Sequence, residues 1–255
     1  MHPHLIAQTT TLGDALALAA AGIVAGLVGT AGGITSLVSY PALLATGLAP
    51  LAANVANLVA LIGCWPGSAA VSREELEGKG RWLLRRAPLA AGGAAAGSIL
   101  LLTTPSNVFA RVVPFLVLAG SVSLLLQPRL TRRHRRRAGA GLPLGLTAVS
   151  LYNGYFGAGS GVMTLTLLLI TADDSLPRAN ALKNMLIGAA TLASVLVFAT
   201  SAPVDWAAAI PLGAGMFAGS TLGPRVTRRI QPGLLRWLVA LLGLVLAIQL
   251  WLSSS

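Results

Sequence analysis

The chain has 255 residues, of which 55% are hydrophobic and only 10% charged, with a mean hydropathy of +0.77. Soluble domains run at roughly 45–50% apolar and about 25% charged residues, so this composition excludes a soluble globular fold and places the chain in a membrane. The net charge of +11 does not indicate nucleic acid, because the arginines sit between apolar runs of spanning length and not on a basic face mixed with polar or aromatic residues.

The first apolar run, about Leu12 to Leu48, is too long for one span, since roughly 20 residues cross the hydrocarbon core. Its glycines divide it near Gly29 to Gly33, which predicts two short helices or a re-entrant hairpin. No basic segment precedes this run, so it is expected to stay in the chain and not to act as a cleaved signal. Runs at about Pro50–Val71, Trp82–Leu102 and Phe109–Leu126 follow, each long enough to cross. The basic stretch Arg129 to Arg137 then separates two halves. The order recurs after it: a long broken run at about Leu142–Thr171, then Leu176–Thr200, Trp206–Leu222 and Leu234–Leu252. The five tryptophans mostly mark the ends of these runs, as an interfacial belt does.

The recurrence extends to single residues. Gly26, Gly29 and Gly33 align with Gly154, Gly157 and Gly161 at an offset of 128, and Pro50, Ala52 and Asn57 with Pro177, Ala179 and Asn184 at an offset of 127. Later landmarks pair Pro88 and Gly92 with Pro211 and Gly215. Lysine and arginine counts set the orientation: none precedes Arg73, which puts the N-terminus outside. The clusters Arg73–Arg86, Arg129–Arg137 and Arg225–Arg229 then fall in the cytoplasm. The loop Ser201–Asp205 carries no basic residue and reads as external, whereas its counterpart in the first half is the first basic loop. The two halves are therefore expected to be inverted relative to each other. The expected fold is an all-α polytopic membrane protein of two inverted repeats, each with a glycine-broken helix or re-entrant hairpin plus three spans. Its parts are an N-terminal transmembrane repeat at 1–128, a basic cytoplasmic linker at 129–140 and a C-terminal transmembrane repeat at 141–255.

Inverted repeats with discontinuous helices are a recurrent design of secondary transporters, which hold substrate at the repeat interface. The candidate substrate-binding residues are Gly29 and Gly33, with Gly157 and Gly161 in the second copy, where backbone amides can approach an anion. The alternative reading of these glycines is close helix packing in lipid. Small or hydroxylic groups flank both breaks, Thr30, Thr35, Ser36 and Tyr40 in the first copy and Tyr152, Asn153, Tyr155, Ser160 and Thr164 in the second. Asn54 and Asn57 lie one turn apart on one face of a helix, as do Asn180 and Asn184. They read either as ligands or as interhelical hydrogen bonds. Lys183, whose counterpart is Ala56, reads either as a single cationic contact to an anion or as a side chain snorkelling to the interface.

Several chemistries lack their residues. There is no G-x-x-x-x-G-K-[ST] phosphate loop, so ATP is not expected to drive the protein. His2, His4 and His134 are terminal or in the linker, and Cys64 is the one cysteine, so neither a catalytic nor a metal site is expected, and no cofactor. Asp14, Asp173, Asp174 and Asp205 all lie near run ends, and no carboxylate relay through the bilayer centre is visible.

The duplicated G-x-x-G-x-x-x-G run, the Pro-x-Ala and asparagine that follow it, and the elements Pro88-Leu-Ala-Ala-Gly92 and Pro211-Leu-Gly-Ala-Gly215 resemble the sulfite exporter TauE/SafE family, the four-toluene-sulfonate-uptake type of permease. The resemblance covers about Thr11 to Trp251. It implies a multi-pass carrier in a bacterial or archaeal inner membrane, not an enzyme, moving sulfite, thiosulfate, sulfoacetate or another organosulfonate by alternating access. The implied partners are a small anionic substrate, a coupling ion that is H+ or Na+, and the lipid bilayer. Nucleic acid is not among them, and homo-oligomer formation is left open. One departure is Ala31 where the second copy has Gly159, which makes the first turn less glycine-rich. An anion channel and a non-transporting membrane scaffold or assembly factor are the alternatives from other classes.

Overall fold

The structure is a computed structural model that describes residues 11–133, 141–171 and 175–227 together with Leu241. The expected last span at Leu234–Leu252, most of the linker and the three histidines lie outside the described residues. Every regular element among the described residues is helical, as lipid demands of a chain that must satisfy its own backbone polar groups.

Helix α1 (Leu12–Gly32) starts on a capping box, in which the Thr11 hydroxyl accepts from the Asp14 amide at 3.1 Å and the Asp14 carboxylate accepts from the Thr11 amide at 3.0 Å. It stops at Gly33, whose φ of 75° is left-handed and whose amide donates to the Gly29 carbonyl at 2.7 Å. The chain restarts at once as α2 (Thr35–Ala45). Next come α3 (Pro50–Ala60), a 3-10 turn at Leu61–Gly63, and α4 (Cys64–Val71), which together make one crossing length. Then follow the short α5 (Arg73–Leu76), α6 (Gly80–Thr103) and α7 (Ser106–Arg133). Helix α7 carries the chain into the basic stretch, so the first residues of that stretch are helical and follow the crossing stretch Ser106–Leu126.

In the second half, α8 (Leu142–Tyr155) ends before a turn in which Gly157 and Gly159 have φ of 84° and 79°. Helix α9 (Ser160–Thr171) restarts there. Last come α10 (Leu176–Ser201) and α11 (Trp206–Thr227). Pro50 and Pro177 both sit in the first turn of their helices, where a missing amide hydrogen costs nothing. Among the described residues five stretches are long and apolar enough to cross a membrane, Leu12–Gly32, Pro50–Val71, Gly80–Thr103, Ser106–Leu126 and Leu176–Ser201. Both long broken runs thus divide at the glycines, as their lengths require.

The helices pack through small residues. A Cβ at Gly215 or Gly219 of α11 would stand 2.0 Å from the carbonyl oxygen of Ala19 or Ile23 in α1, and one at Gly26 2.3 Å from that of Met216. Helices α6 and α8 repeat this. A Cβ at Gly93 would stand 2.6 Å from the Thr147 oxygen, at Gly97 2.0 Å from that of Leu151, and at Gly154 2.0 Å from that of Ala94. Side chains at these positions would push the helices apart. In each pair the contacts advance along both helices together, so α1 runs parallel to α11, and α6 to α8. Gly92, which the sequence set against Gly215, has open space beside it, and Gly93 makes the contact.

Two further contacts fix directions. Arg178, in the first turn of α10, donates from Nε to the Glu75 carbonyl of α5 at 3.2 Å. Helix α10 therefore begins where α4 ends, and the two proline-started segments run in opposite senses. At the middle of the bundle the two glycine breaks meet, Gly33 against Gly161.

Candidate functional site

Where the breaks meet, a small cavity of about 40 Å³ is lined by the end of α1, the starts of α2 and α9, and residues of α4, α8 and α10. Six of the sequence-derived candidates line it: Gly29, Gly33, Gly157, Gly161, Lys183 and Asn184. Thr30, Thr35, Ser36, Asn153 and Ser160 join them. Because α2 and α9 both restart at this point, two helix N-termini lie at the cavity wall, where unpaired amides and the positive ends of helix dipoles favour negative charge.

The remaining four candidates lie in the surrounding packing. Asn54 is fully buried and donates from Nδ2 to the Tyr155 carbonyl at 2.9 Å, tying α3 to the end of α8. Asn57 accepts from the Ser39 hydroxyl at 2.5 Å. Tyr155 places its hydroxyl 3.4 Å from Thr104 Oγ1 and its ring edge-on to Phe109. Asn180 donates to the Thr30 carbonyl at 2.9 Å.

Lys183 is buried to 1% exposure, so it does not snorkel. Its Nζ lies 3.3 Å from the Gly29 carbonyl oxygen and 3.4 Å from that of Thr30. Helix α1 has no basic residue in its own last turn, and Lys183 reaches across from α10 to supply a cation at that C-terminal end. Asn184 donates to the same Thr30 oxygen at 3.3 Å. That oxygen thus has three donors from α10 around two lone pairs. The shortest contact belongs to Asn180, away from the cavity. The two longer ones belong to Lys183 and Asn184, which line it and are the less firmly held. Among the described residues no carboxylate lines the cavity, and Lys183 is the one formally charged lining residue.

Sequence reasoning missed the α4 wall and the far part of α10, namely Cys64, Trp65, Ser68, Ile187, Gly188 and Thr191. Trp65, partly buried, lines the cavity and departs from the belt pattern; its place within a crossing segment was the available signal. Trp82, near the start of α6, stacks under the Arg86 guanidinium at 4.1 Å, and Trp206 opens α11 half-exposed, both in keeping with a belt. Trp237 and Trp251 lie outside the described residues.

The sequence profile described as Sulfite exporter TauE/SafE matches residues 15–250. The chain belongs to the sulfite exporter TauE/SafE family. Among its relatives are the "Probable membrane transporter protein YfcA" of Escherichia coli (strain K12), 26% identical over 236 residues, covering 91% of this chain and 87% of the relative. A "Probable membrane transporter protein" of Haemophilus influenzae is 26% identical over 230 residues, covering 88% and 89% of the two chains. The "Probable membrane transporter protein ORF9" of a Sinorhizobium species is 27% identical over 237 residues, covering 90% and 89%. No solved structure matches. As a TauE/SafE family member with five crossing-length apolar stretches among the described residues, the protein is integral to a membrane.

Proposed function

We propose that this TauE/SafE protein is a secondary carrier of a small anion, such as sulfite, thiosulfate, sulfoacetate or another organosulfonate, in a bacterial or archaeal inner membrane. The observation that carries the reading is Lys183, a buried cation lining a cavity at the meeting point of two broken helices, with no carboxylate among the described lining residues. An unpaired ammonium in an apolar interior is strongly unfavourable, and an anion in the cavity would supply its counter-charge. The names of the relatives, all probable membrane transporters, agree.

The architecture behind the cycle is two inverted repeats, at 1–128 and 141–255 with the linker 129–140 between them. Its support is the packing. Adding 128 to Ala19, Ile23 and Gly26 gives Thr147, Leu151 and Gly154, and subtracting 122 from Gly215, Gly219 and Met216 gives Gly93, Gly97 and Ala94. The three contacts between α1 and α11 thus recur, residue for residue, between α6 and α8. Gly33 and Gly161, also 128 apart, touch each other, as positions on a pseudo-twofold axis must. The opposite senses of the two proline-started segments support an inverted relation, in which rocking one repeat against the other would expose the cavity to alternate sides.

The test is counterflow in proteoliposomes with labelled sulfite, thiosulfate and sulfoacetate. A carrier gives saturable uptake accelerated by the same anion inside. Flux that neither saturates nor is accelerated in this way means a channel. Absence of any flux alongside a stable co-purifying partner means a scaffold.

A further inference from the structure

Three polar atoms at the cavity walls are buried without a hydrogen-bond partner: Trp65 Nε1, Asn153 Nδ2 and Thr191 Oγ1. Nearly all buried polar groups in folded proteins are paired, so three such atoms around one cavity call for an explanation. Each is held in place by something specific. The indole of Trp65 packs against α10 at Gly188, where a Cβ would stand 2.5 Å from Nε1 and 2.2 Å from Cδ1. Only glycine provides that seat. Asn153, 2% exposed, accepts from the Ser160 hydroxyl at 2.6 Å through Oδ1, which leaves its NH2 as the free end. Thr191 is 1% exposed, and it is the one threonine of α9 and α10 whose hydroxyl does not bond back to a carbonyl of the preceding turn; Thr164, Thr166, Thr171 and Thr200 all do. On α10, Asn184, Gly188 and Thr191 follow one another at helical spacing along one face, next to Lys183.

We propose that Trp65 Nε1, Asn153 Nδ2 and Thr191 Oγ1 are hydrogen-bond ligands of the transported anion, forming with Lys183 a shell dominated by donors that fits a fully deprotonated oxyanion. The inference rests on the anion-carrier reading and deepens it. An indole N–H and an ammonium can only donate, and the free end of the Asn153 amide only donates. A sulfonate, thiosulfate or sulfite dianion presents several acceptor oxygens and no donor. Hydrogenphosphate brings an O–H that needs a strong acceptor, and no carboxylate among the described lining residues is there to receive it. Leaving such a group unpaired in a closed site is how polar sites reject a near-isostere. Gly188 is a positioning residue, because it sets where the indole N–H lies.

The experiment is titration calorimetry on purified full-length protein with thiosulfate, sulfite, sulfoacetate and hydrogenphosphate, comparing wild type with Trp65→Phe, Thr191→Val, Gly188→Ala and Trp82→Phe. Val keeps the shape of threonine, so Thr191→Val removes little besides one donor; Phe keeps an aromatic ring but loses part of the indole's volume with its N–H, a loss that Trp82→Phe matches away from the cavity. Trp65→Phe and Thr191→Val should both weaken the best-bound sulfur anion about tenfold or more, as loss of a hydrogen bond to a charged group does. Gly188→Ala should weaken it with all donors present, and Trp82→Phe should not. Wild type should bind hydrogenphosphate at least tenfold more weakly than that anion. Wild-type binding of a sulfur anion with Trp65→Phe and Thr191→Val both within twofold overturns this inference and leaves the carrier reading standing. Failure of wild type to bind any of the anions overturns both. If Gly188→Ala does not fold, the two donor-deleting variants decide alone.

Discussion

Gly33 and Gly161 lie backbone to backbone: a Cβ on either would stand 2.4 Å from the main chain of the other. The two helix breaks are thus one structural feature, a crossing point that admits no side chain. Gly33 carries a second constraint in its φ of 75°.

Gly161→Ala is expected to destabilise the protein by roughly 1–3 kcal/mol through overpacking, and Gly33→Ala by about 1–2 kcal/mol more through its left-handed backbone. Both should abolish anion counterflow at matched protein levels. Gly92→Ala, on the same kind of helix with open space beside it, should be silent in melting temperature and in flux. Equal harm from Gly92→Ala would show that the helices resent any added methyl, and the crossing point would lose its special status.

Lys183→Met keeps the apolar stem, so the protein should fold at least as stably as wild type once an uncompensated buried charge is gone. Anion affinity should fall about ten- to a hundredfold, the worth of roughly 1.5–3 kcal/mol in a charge-assisted contact. Lys183→Arg should retain part of the activity, since charge survives while geometry changes. Anion-induced thermal shifts measure both series. Wild-type affinity in Lys183→Met would leave Lys183 as a cap on α1 and nothing more.

Asn54→Leu separates packing from binding. It removes the bond to the Tyr155 carbonyl, and interhelical hydrogen bonds in membranes are worth about 0.6 kcal/mol and at most roughly 1.7. A small drop in melting temperature with unchanged anion affinity is expected, because Asn54 does not line the cavity. A large affinity loss without destabilisation would bring Asn54 into the site.

Topology is checked by single cysteines in a Cys64→Ala background with an impermeant thiol reagent. Both termini and the Ser201–Asp205 loop should label from outside, and the turn at 77–79 and positions near Arg133 and Arg228 only from inside. The bond from Arg178 to Glu75 adds that the start of α10 shares the side of the 77–79 turn. Labelling of that turn from outside would reverse the orientation, and labelling of both turns 77–79 and 201–205 from one side would end the inversion.

The sequence by itself determined that the chain is a helical membrane protein, where its long apolar runs break and which charge is out of place. These are local properties. Lipid forces each run to satisfy its own backbone, run length against bilayer thickness demands a break, and glycine is the residue at which a helix can turn through positive φ. What only the tertiary structure decided is which polar groups share the cavity. Asn180 and Asn184 look alike in sequence, one turn apart on α10, yet one ends in the packing and the other at the cavity wall. Trp65 and Thr191 come to the cavity through contacts between helices more than a hundred residues apart, and Gly93, not Gly92, meets α8. A helix turns 100° per residue, so a single step in crossing register changes which side chain faces inward, and no local pattern fixes that step.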